Sequence, residues 1–448
     1  MFRKWFWVGA VRRRFYLFKL LLACLLLSCF TPTALRAQTL GFNRERGRMM
    51  LGILKKDIKD NYYDPTFHGI DLDARFKEAD DKIKQADSLG QVLAIIAQVL
   101  VDLNDSHTFF LPPSRPARVD YGWQMLIVGD KCFVSAVKPG SDAEAKGLKP
   151  GDEIWSIDGY APTRDTLWKM KYFYYTLRPR SGMRLVIRKP GAQEQQELDV
   201  QAQVHEHQRV QDVATDFYDL VRDAENEDRL RRQRFAEVST DLLVWKLPEF
   251  LLTEQEISDA MDKARKHKAL IVDLRGNPGG LADNLQRLAG YFFDHDVKIA
   301  DLKARKEQKP LIAKTRGDRV FKGQLAVLVD SESASAAELF ARLVQLEKRG
   351  AVLGDRTAGA VMLSKGYEHE QGTDTIAFYG ASITFADLIM SDGKSLEHVG
   401  VIPDELLLPT PQALAAQHDP VLARAAARFG VMLDSTKAGA LFPVEWQK

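Results

Sequence analysis

The sequence predicts a multidomain α/β protein: an N-terminal helical domain, a β-rich second domain and a C-terminal α/β domain. Three observations predict it. In "SLGQVLAIIAQVLVDL", Leu89, Val92, Leu93, Ile96, Val99, Leu100 and Leu103 recur at three- and four-residue steps, the period of a helix face. From Tyr121 to Gly159 short β-type runs alternate with glycine turns. Further on, "KALIVDL" (268–274) and "LAVLVD" (325–330) are short, apolar and β-branched, and a helical pattern follows each, as in a covered α/β sheet. At 448 residues, 45% hydrophobic and 28% charged, the chain exceeds one ordinary core.

The first residues differ from the rest. "MFRKWFWVGAVRRRFYLFK" is basic, "LLLACLLLSCF" is an apolar run, and "TPTALRAQ" offers a small-residue cleavage point near Ala37. The run is too short to span a bilayer as a helix, so residues 1–37 read as a signal peptide and predict an exported protein, periplasmic or secreted. The rival is a lipid anchor at Cys29, since "LLSC" resembles a bacterial lipoprotein box, although Phe30 is an unusual neighbour for it. Membrane contact is expected only with that anchor. The segment holds seven Lys/Arg and no acid, so removing it leaves 56 basic against 61 acidic residues, a balance of −5. That excludes a basic nucleic-acid binder. Cys24 and Cys29 lie in the same segment, which leaves Cys132 alone, and no His/Cys cluster has zinc spacing. Neither a disulfide framework nor a metal is expected, and no cofactor is implied.

The helical domain is expected over 41–116, with the boundary at "PPSRP" (112–116), which breaks the helix period. The next stretch, 117–203, resembles a PDZ domain: "GLKPGDEIWSIDG" reproduces a turn and the strand after it. PDZ domains bind C-terminal peptides by adding a strand to a sheet edge. The resemblance puts the carboxylate-binding loop at Tyr121, Gly122 and Trp123, with Trp123 standing where many such loops have a small or aliphatic residue. Residues 204–236 are charge-rich with helical spacing and read as a solvated helix or linker. The α/β domain covers 237–410, and 411–448 is a C-terminal extension.

Within the α/β domain, "LAVLVDSESASAAELFARL" places Ser331, Ser333 and Ser335 where a strand gives way to a helix. Backbone N–H groups at a helix start are unpaired donors, so a serine held there can attack a carbonyl while a nearby N–H stabilises the oxyanion. Serines at helix starts are also common caps. Composition does not choose among the three.

"ALIVDLRGNPGG", "SASAAELFARL", "GDRTAG" and "GVIPD", in this order behind a PDZ-like domain, resemble the C-terminal processing (tail-specific) peptidase family, which includes the tricorn core protease. The resemblance runs from the helical domain to Asp404 and implies a ClpP/crotonase-like α/β catalytic domain. It also implies that the second serine of "SAS", Ser335, is the nucleophile, with Ser331 and Ser333 as turn residues. One branch of the family uses a lysine after its "GE-T-G" motif as general base. Here "GDRTAGA" puts Ala360 at that position, and Lys365 reaches it only by a slipped register. The tricorn-like branch draws its base from the helical domain, where "DLNDSHTFF" supplies Ser106 and His107, and a glutamate before "GVxPD" matches Glu397. An imidazole, with an ordinary pKa of about 6.5, can take the serine proton near neutral pH. The proposed set is therefore Ser335 as nucleophile and His107 as base, with Ser106 and Glu397 orienting the histidine. His369 and His398 read as structural. For the oxyanion hole the resemblance supplies Ala336 N–H and either Gly279 or Gly280.

The resemblance implies an exported serine endopeptidase acting on proteins or peptides, its PDZ domain recognising C-terminal or extended segments. Two other classes share these features: a carrier of apolar ligands like the interphotoreceptor retinoid-binding proteins, and a PDZ scaffold with an inert protease fold. The intact Ser335, His107 and Glu397 set argues against both.

Overall fold

The computed structural model describes residues 40–113, 117–206, 232–372 and 377–446. The signal and lipid-anchor expectations for 1–37 and Cys29, the end of "PPSRP", and most of the charged linker (207–231) lie outside the described residues. Among the described residues no helix is long and apolar enough to cross a membrane.

The chain divides into two compact units, one ending at Lys56 and resuming over Asp71–Val99, the other comprising Asp57–Ile70 and everything from Leu100 onward. The first unit is helical: α1 (40–61) begins in it, and α2 (Leu72–Gln85) and α3 (Leu89–Val101) follow. Asp71 starts α2 by accepting the Ala74 N–H. Leu72, Phe76, Ala79 and Ile83 recur at three- and four-residue steps and are all buried. The segment after α3 packs elsewhere than expected from sequence. Residues 100–113 belong to the second unit because β1 (Phe109–Leu111) pairs antiparallel with a strand of that unit, Phe110 opposite Ala381.

β2 (Ala117–Asp120) pairs with β8 (Gln203–Glu206) as a two-stranded sheet, and between them in sequence lies a five-stranded antiparallel sheet in the order β3 (Trp123–Val128), β4 (Lys131–Val137), β5 (Glu153–Ile157), β6 (Gly182–Arg188) and β7 (Gln195–Gln201). The helix α4 (Asp142–Ala145) and the helix α5 (Leu167–Lys171), extended by a π-turn over Tyr172–Leu177, complete this domain. Burial pushes its lone Cys132 thiol up to about 12, so that sulfur is unreactive at neutral pH.

The α/β domain is built on a six-stranded sheet ordered β18 (Glu405–Leu406), β15 (Ala351–Gly354), β14 (Gln324–Val329), β11 (Ala269–Asp273), β10 (Leu242–Lys246) and β9 (Arg234–Ser239). All neighbours are parallel except β9 with β10. Alternate residues serve two cores. Leu243, Trp245, Leu270, Val272, Val327 and Val329 face the core under α6 (Glu254–Ala264), α7 (Ala282–Ala289) and α8 (Ala336–Leu346). Leu242, Val244, Ile271, Ala326 and Leu328 face the core under α10 (Pro420–Ala427), which follows α9 (Pro411–Ala415). Burial on both faces explains why these strands read as unbroken apolar runs. A second sheet, β1, β17 (Ala377–Met390), β12 (Val297–Ala304) and β13 (Leu311–Ala313), with β16 (Met362–Gln371) paired to β17, flanks the first.

Three loops leave the carboxyl ends of neighbouring parallel strands: "RGNPGG" after β11, "SESAS" after β14 and "DRTAGA" after β15. Open α/β sheets place their sites at this edge. The PDZ-like domain is seated on the same loops. Arg164 bridges the Gly129 carbonyl (2.6 Å) and Asp355 (2.5 Å), Ser331 Oγ donates to the Ile127 carbonyl (2.6 Å), and Lys171 pairs with Glu332. Behind the loops Arg275 joins the buried Asp273 to Asp419. Burial works against ionising Asp273, but Arg275 and Lys246 hold its carboxyl well below the usual range.

Candidate active site

Ser335 stands between β14 and α8 with φ +54 and ψ −118, a conformation costly for a non-glycine residue. Its N–H goes to the Ala360 carbonyl (2.8 Å) and to Glu338 Oε2 (3.0 Å). The Glu338 N–H donates in turn to the Ser335 carbonyl (2.9 Å). Ser333 is the turn residue, buried, with Oγ donating to the Leu274 carbonyl (2.9 Å) and accepting the Asp330 N–H (2.9 Å). The Ala336 N–H, first in α8, has no partner among the described residues.

Glu338 is 0% exposed and takes four donors: the Thr357 hydroxyl (2.5 Å) and the N–H groups of Gly359 (2.8 Å), Ala360 (2.9 Å) and Ser335 (3.0 Å). Burial pushes its carboxyl up to about 7 against the pull of these hydrogen bonds. Four donors and no acceptor describe a carboxylate. This side chain ties the "DRTAGA" loop to the nucleophile turn.

The Val361 N–H, the other half of the peptide whose carbonyl holds Ser335, donates to Glu397 Oε2 (2.7 Å). Glu397 also accepts the Ser106 N–H at Oε1 (2.7 Å) and the Ser106 hydroxyl at Oε2 (2.9 Å). Since Ser106 gives its only hydroxyl proton to Glu397, it must accept from His107 Nδ1 (2.7 Å). The proton thus sits on Nδ1 and the Nε2 lone pair is open, the tautomer a general base needs. His107 Nε2 has no partner among the described residues, and no hydrogen bond joins it to Ser335 Oγ. Such contacts are often long before substrate binds. Burial pulls the His107 pKa below its ordinary 6.5, against the charge of Asp105. Burial also raises the Glu397 carboxyl, against hydrogen bonds from Val361 and Ser106 and the nearby His398.

Asp105 was not singled out from the sequence, yet it shapes this loop. Its Oδ1 accepts the N–H groups of His107 (2.9 Å) and Thr108 (2.7 Å) and the Thr384 hydroxyl (2.6 Å). An aspartate just before the Ser-His pair is the available signal, because Asp side chains cap their own turns.

The two glycines of "RGNPGG" separate clearly. The Gly279 N–H is committed to Asn277 Oδ1 (2.7 Å). Gly280 bridges Phe250 through its neighbours, Phe250 N–H to the Gly279 carbonyl (2.6 Å) and Leu281 N–H to the Phe250 carbonyl (2.9 Å), so its own N–H points away from Phe250 and is open. Gly279 has φ +101, and a Cβ there would come within 2.6 Å of Ser335 Cβ and 3.0 Å of Ala336 N.

With this geometry in place, residues 241–407 match the model of peptidase family S41 and residues 119–166 that of the PDZ domain. The chain carries a family S41 peptidase domain behind a PDZ domain. It is 25% identical over 272 residues to the tail-specific protease of Haemophilus influenzae, covering 57% of this chain and 36% of that one. It is 28% identical over 153 residues to the carboxy-terminal processing protease CtpA of Bacillus subtilis, 34% and 31% of the two chains. A probable CtpA-like serine protease of Staphylococcus aureus matches at 23% over 354 residues, 74% and 63%. The chain thus spans between about a third and two thirds of these relatives' lengths. Among solved structures, mature CPAF superposes with a TM-score of 0.63 at 15% identity, covering 84% of this chain and 94% of that one. The photosystem II D1 C-terminal processing protease gives 0.52 at 20%, covering 88% and 99%. These two likenesses concern the fold.

In the S41 domain the remaining sequence candidates fall as follows. Ala360 contributes only backbone to the site. Lys365 is exposed on β16, over the Tyr367 ring, and does not bond Ser335. His369 pairs with Asp57 (2.6 Å), away from the Ser106–Glu397 network. His398 does touch that network: its Nε2 donates to the Asn104 carbonyl (2.9 Å) and lies 3.6 Å from Glu397 Oε1. In the PDZ domain, Tyr121 is a core residue whose hydroxyl accepts the Arg180 N–H (3.1 Å). The Gly122 N–H is spent on Asp120 Oδ1 (2.9 Å), itself paired with Lys138. Trp123 lies at a non-hydrogen-bonded position opposite Val137, which turns its N–H to the open edge of β3. Among the described residues no cluster of three or more His, Cys, Asp or Glu could hold a metal.

Two outcomes are expected. Gly279→Ala should cost at least ~10²-fold in turnover because its methyl fills the space beside Ala336 N–H, whereas Gly276→Ala, with φ +71 but open space, should cost far less. Equal rates for the two would remove the glycine from the site. Glu338→Gln turns one carboxylate oxygen into an NH2, takes the acceptor from two of the four buried donors, and should lower the unfolding free energy by about 1–3 kcal/mol or more in a denaturant titration. An unchanged midpoint would mean the four bonds do not hold the loop.

Proposed function

We propose that this protein is an exported serine endopeptidase that hydrolyses peptide bonds in proteins or peptides. The observation that carries the proposal is the histidine tautomer. A Glu397 carboxylate takes the Ser106 proton, which obliges His107 to present a basic Nε2. Ser335 is the nucleophile: His107 takes its hydroxyl proton as the oxygen attacks the scissile carbonyl, then returns that proton to the leaving amine. The open N–H groups of Ala336 and Gly280 receive the oxyanion. Ser106 and Glu397 act through His107, fixing its tautomer and stabilising the imidazolium that forms. No step calls on a metal or an organic cofactor.

The relatives named tail-specific and carboxy-terminal processing proteases support a role on polypeptide tails, admitted through the PDZ domain. With the Gly122 amide already engaged, the open β3 edge favours extended segments as its ligands. The basic and apolar first residues support export to the periplasm or outside the cell, with release after Ala37 or lipid attachment at Cys29 as the two maturation routes. The N-terminal mass of the mature protein separates them.

Residues 38–448 with Ser335 intact should label with a fluorophosphonate and cleave an unstructured protein. Ser335→Ala should abolish both, and His107→Ala should lower turnover by roughly 10³-fold or more. A wild type that neither labels nor cleaves would transfer the assignment to the carrier or scaffold class. Because burial lowers the His107 pKa, the imidazole stays neutral into mild acid. The acid limb of the labelling rate should therefore lie below 6.5, and a limb at or above that value would contradict a desolvated histidine base.

A further inference from the structure

We propose that His398 is a positioning residue for the Ser106–His107–Glu397 array, its imidazole clamping the Asn104 carbonyl to the Glu397 turn and lying beside the Glu397 carboxylate. The inference rests on the serine-peptidase assignment of Ser335, His107 and Glu397. It concerns a histidine for which the sequence suggested only a structural part.

Backbone conformation is the first observation. His398 has φ +59 and Asn104 has φ +54, both in the left-handed region that non-glycine residues seldom occupy. These two strained residues are joined by the 2.9 Å bond from His398 Nε2 to the Asn104 carbonyl. Each immediately precedes or follows a member of the array or its supporting loop: Asn104 leads into Asp105, Ser106 and His107, and His398 follows Glu397. A residue whose side chain only met solvent would gain nothing from holding this φ. At 57% exposure, His398 spends its free-energy cost on one directed bond to the base loop.

The second observation is the hydrogen-bond frame around the turn. The His398 N–H donates to the Gly359 carbonyl (2.8 Å), while the Gly359 N–H donates to Glu338. His398 therefore connects the loop held by Glu338 to the loop that carries His107. Charge supplies the third. His398 Nε2 lies 3.6 Å from Glu397 Oε1, and its proximity lowers the Glu397 pKa against burial. The other titratable groups at this place are Asp105 and His107 on the 104–108 loop and Tyr63, whose phenol feels Asp105, Glu397 and Asp387. Removing the imidazole from beside Glu397 lets that carboxyl bind its proton at higher pH, which moves the acid limb upward.

The test compares wild type, His398→Ala and His398→Gln by fluorophosphonate labelling and peptide hydrolysis across pH, at low and high salt, with Ser335→Ala as the blank. His398→Ala should lower kcat and the labelling rate roughly tenfold with KM little changed, because the base loop loses its clamp. His398→Gln keeps an amide donor for Asn104 but cannot be charged. It should recover most of the alkaline rate and shift its acid limb upward by a fraction of a pH unit, the shift shrinking at high salt because the residue is exposed. Two variants that match the wild type in rate and acid limb would overturn the inference. So would two variants that lose activity equally at every pH together with thermal stability, which is the signature of a plain structural residue. A wild type that does not label overturns the serine assignment and this inference with it; a labelling wild type with unaffected variants overturns the inference alone.

Discussion

The site depends on one buried carboxylate. Glu338 is enclosed in the α/β core, and a carboxylate there is tolerable only because four donors surround it. Three of the donors are backbone amides from two loops that share no other direct link through a side chain. The cost of burying the charge is what enforces the geometry: any drift of the "DRTAGA" loop from the nucleophile turn strands either an N–H or the carboxylate. Ser335 inherits its position from this. Its N–H is held by both Glu338 and the Ala360 carbonyl, and the same Ala360–Val361 peptide passes the constraint on to Glu397.

The frame also holds three non-glycine residues in the left-handed region. Ser335, Asn104 and His398 all have positive φ without being glycine, and each is flanked by hydrogen bonds that a relaxed backbone would break. The Ala336 amide, first in α8, stays open beside the strained Ser335. The positive φ thus marks this position better than the serine itself does.

The fold was largely legible because its sheet is buried on both faces, so "KALIVDL" and "LAVLVD" could only be covered strands, and the amphipathic runs after them could only be the covering helices. The chemistry was legible through motif order more than through any residue. Three serines within five residues could not be ranked by composition, and Ala360 said only that a lysine was missing. What stayed hidden were features set by three-dimensional hydrogen bonding. The loop carrying His107 belongs to the peptidase unit because Phe109–Leu111 pairs with β17, a long-range register that local periodicity does not encode. The difference between Gly279 and Gly280 is the direction of one peptide plane, which two adjacent glycines in a sequence cannot express. The same holds for Gly122, whose amide is taken by the aspartate two residues before it.

The proposed use of a distant histidine as base, where a lysine would otherwise serve, changes what the scaffold must supply. A lysine becomes a base only when desolvation removes its proton, so the pocket has to be apolar around it. An imidazole already has a neutral form near pH 7, but its two nitrogens must be told apart, and that is a hydrogen-bonding problem. Here the solution runs in one direction, from the Val361 and Ser106 amides to Glu397, from the Ser106 hydroxyl to the same carboxylate, and from His107 Nδ1 to Ser106. A residue with no side-chain chemistry suffices at position 360, because its peptide is needed to anchor both ends of that chain: Ser335 on its carbonyl and Glu397 on the amide that follows. The loss of the lysine and the retention of a tightly bonded backbone at the same place are therefore two halves of one arrangement.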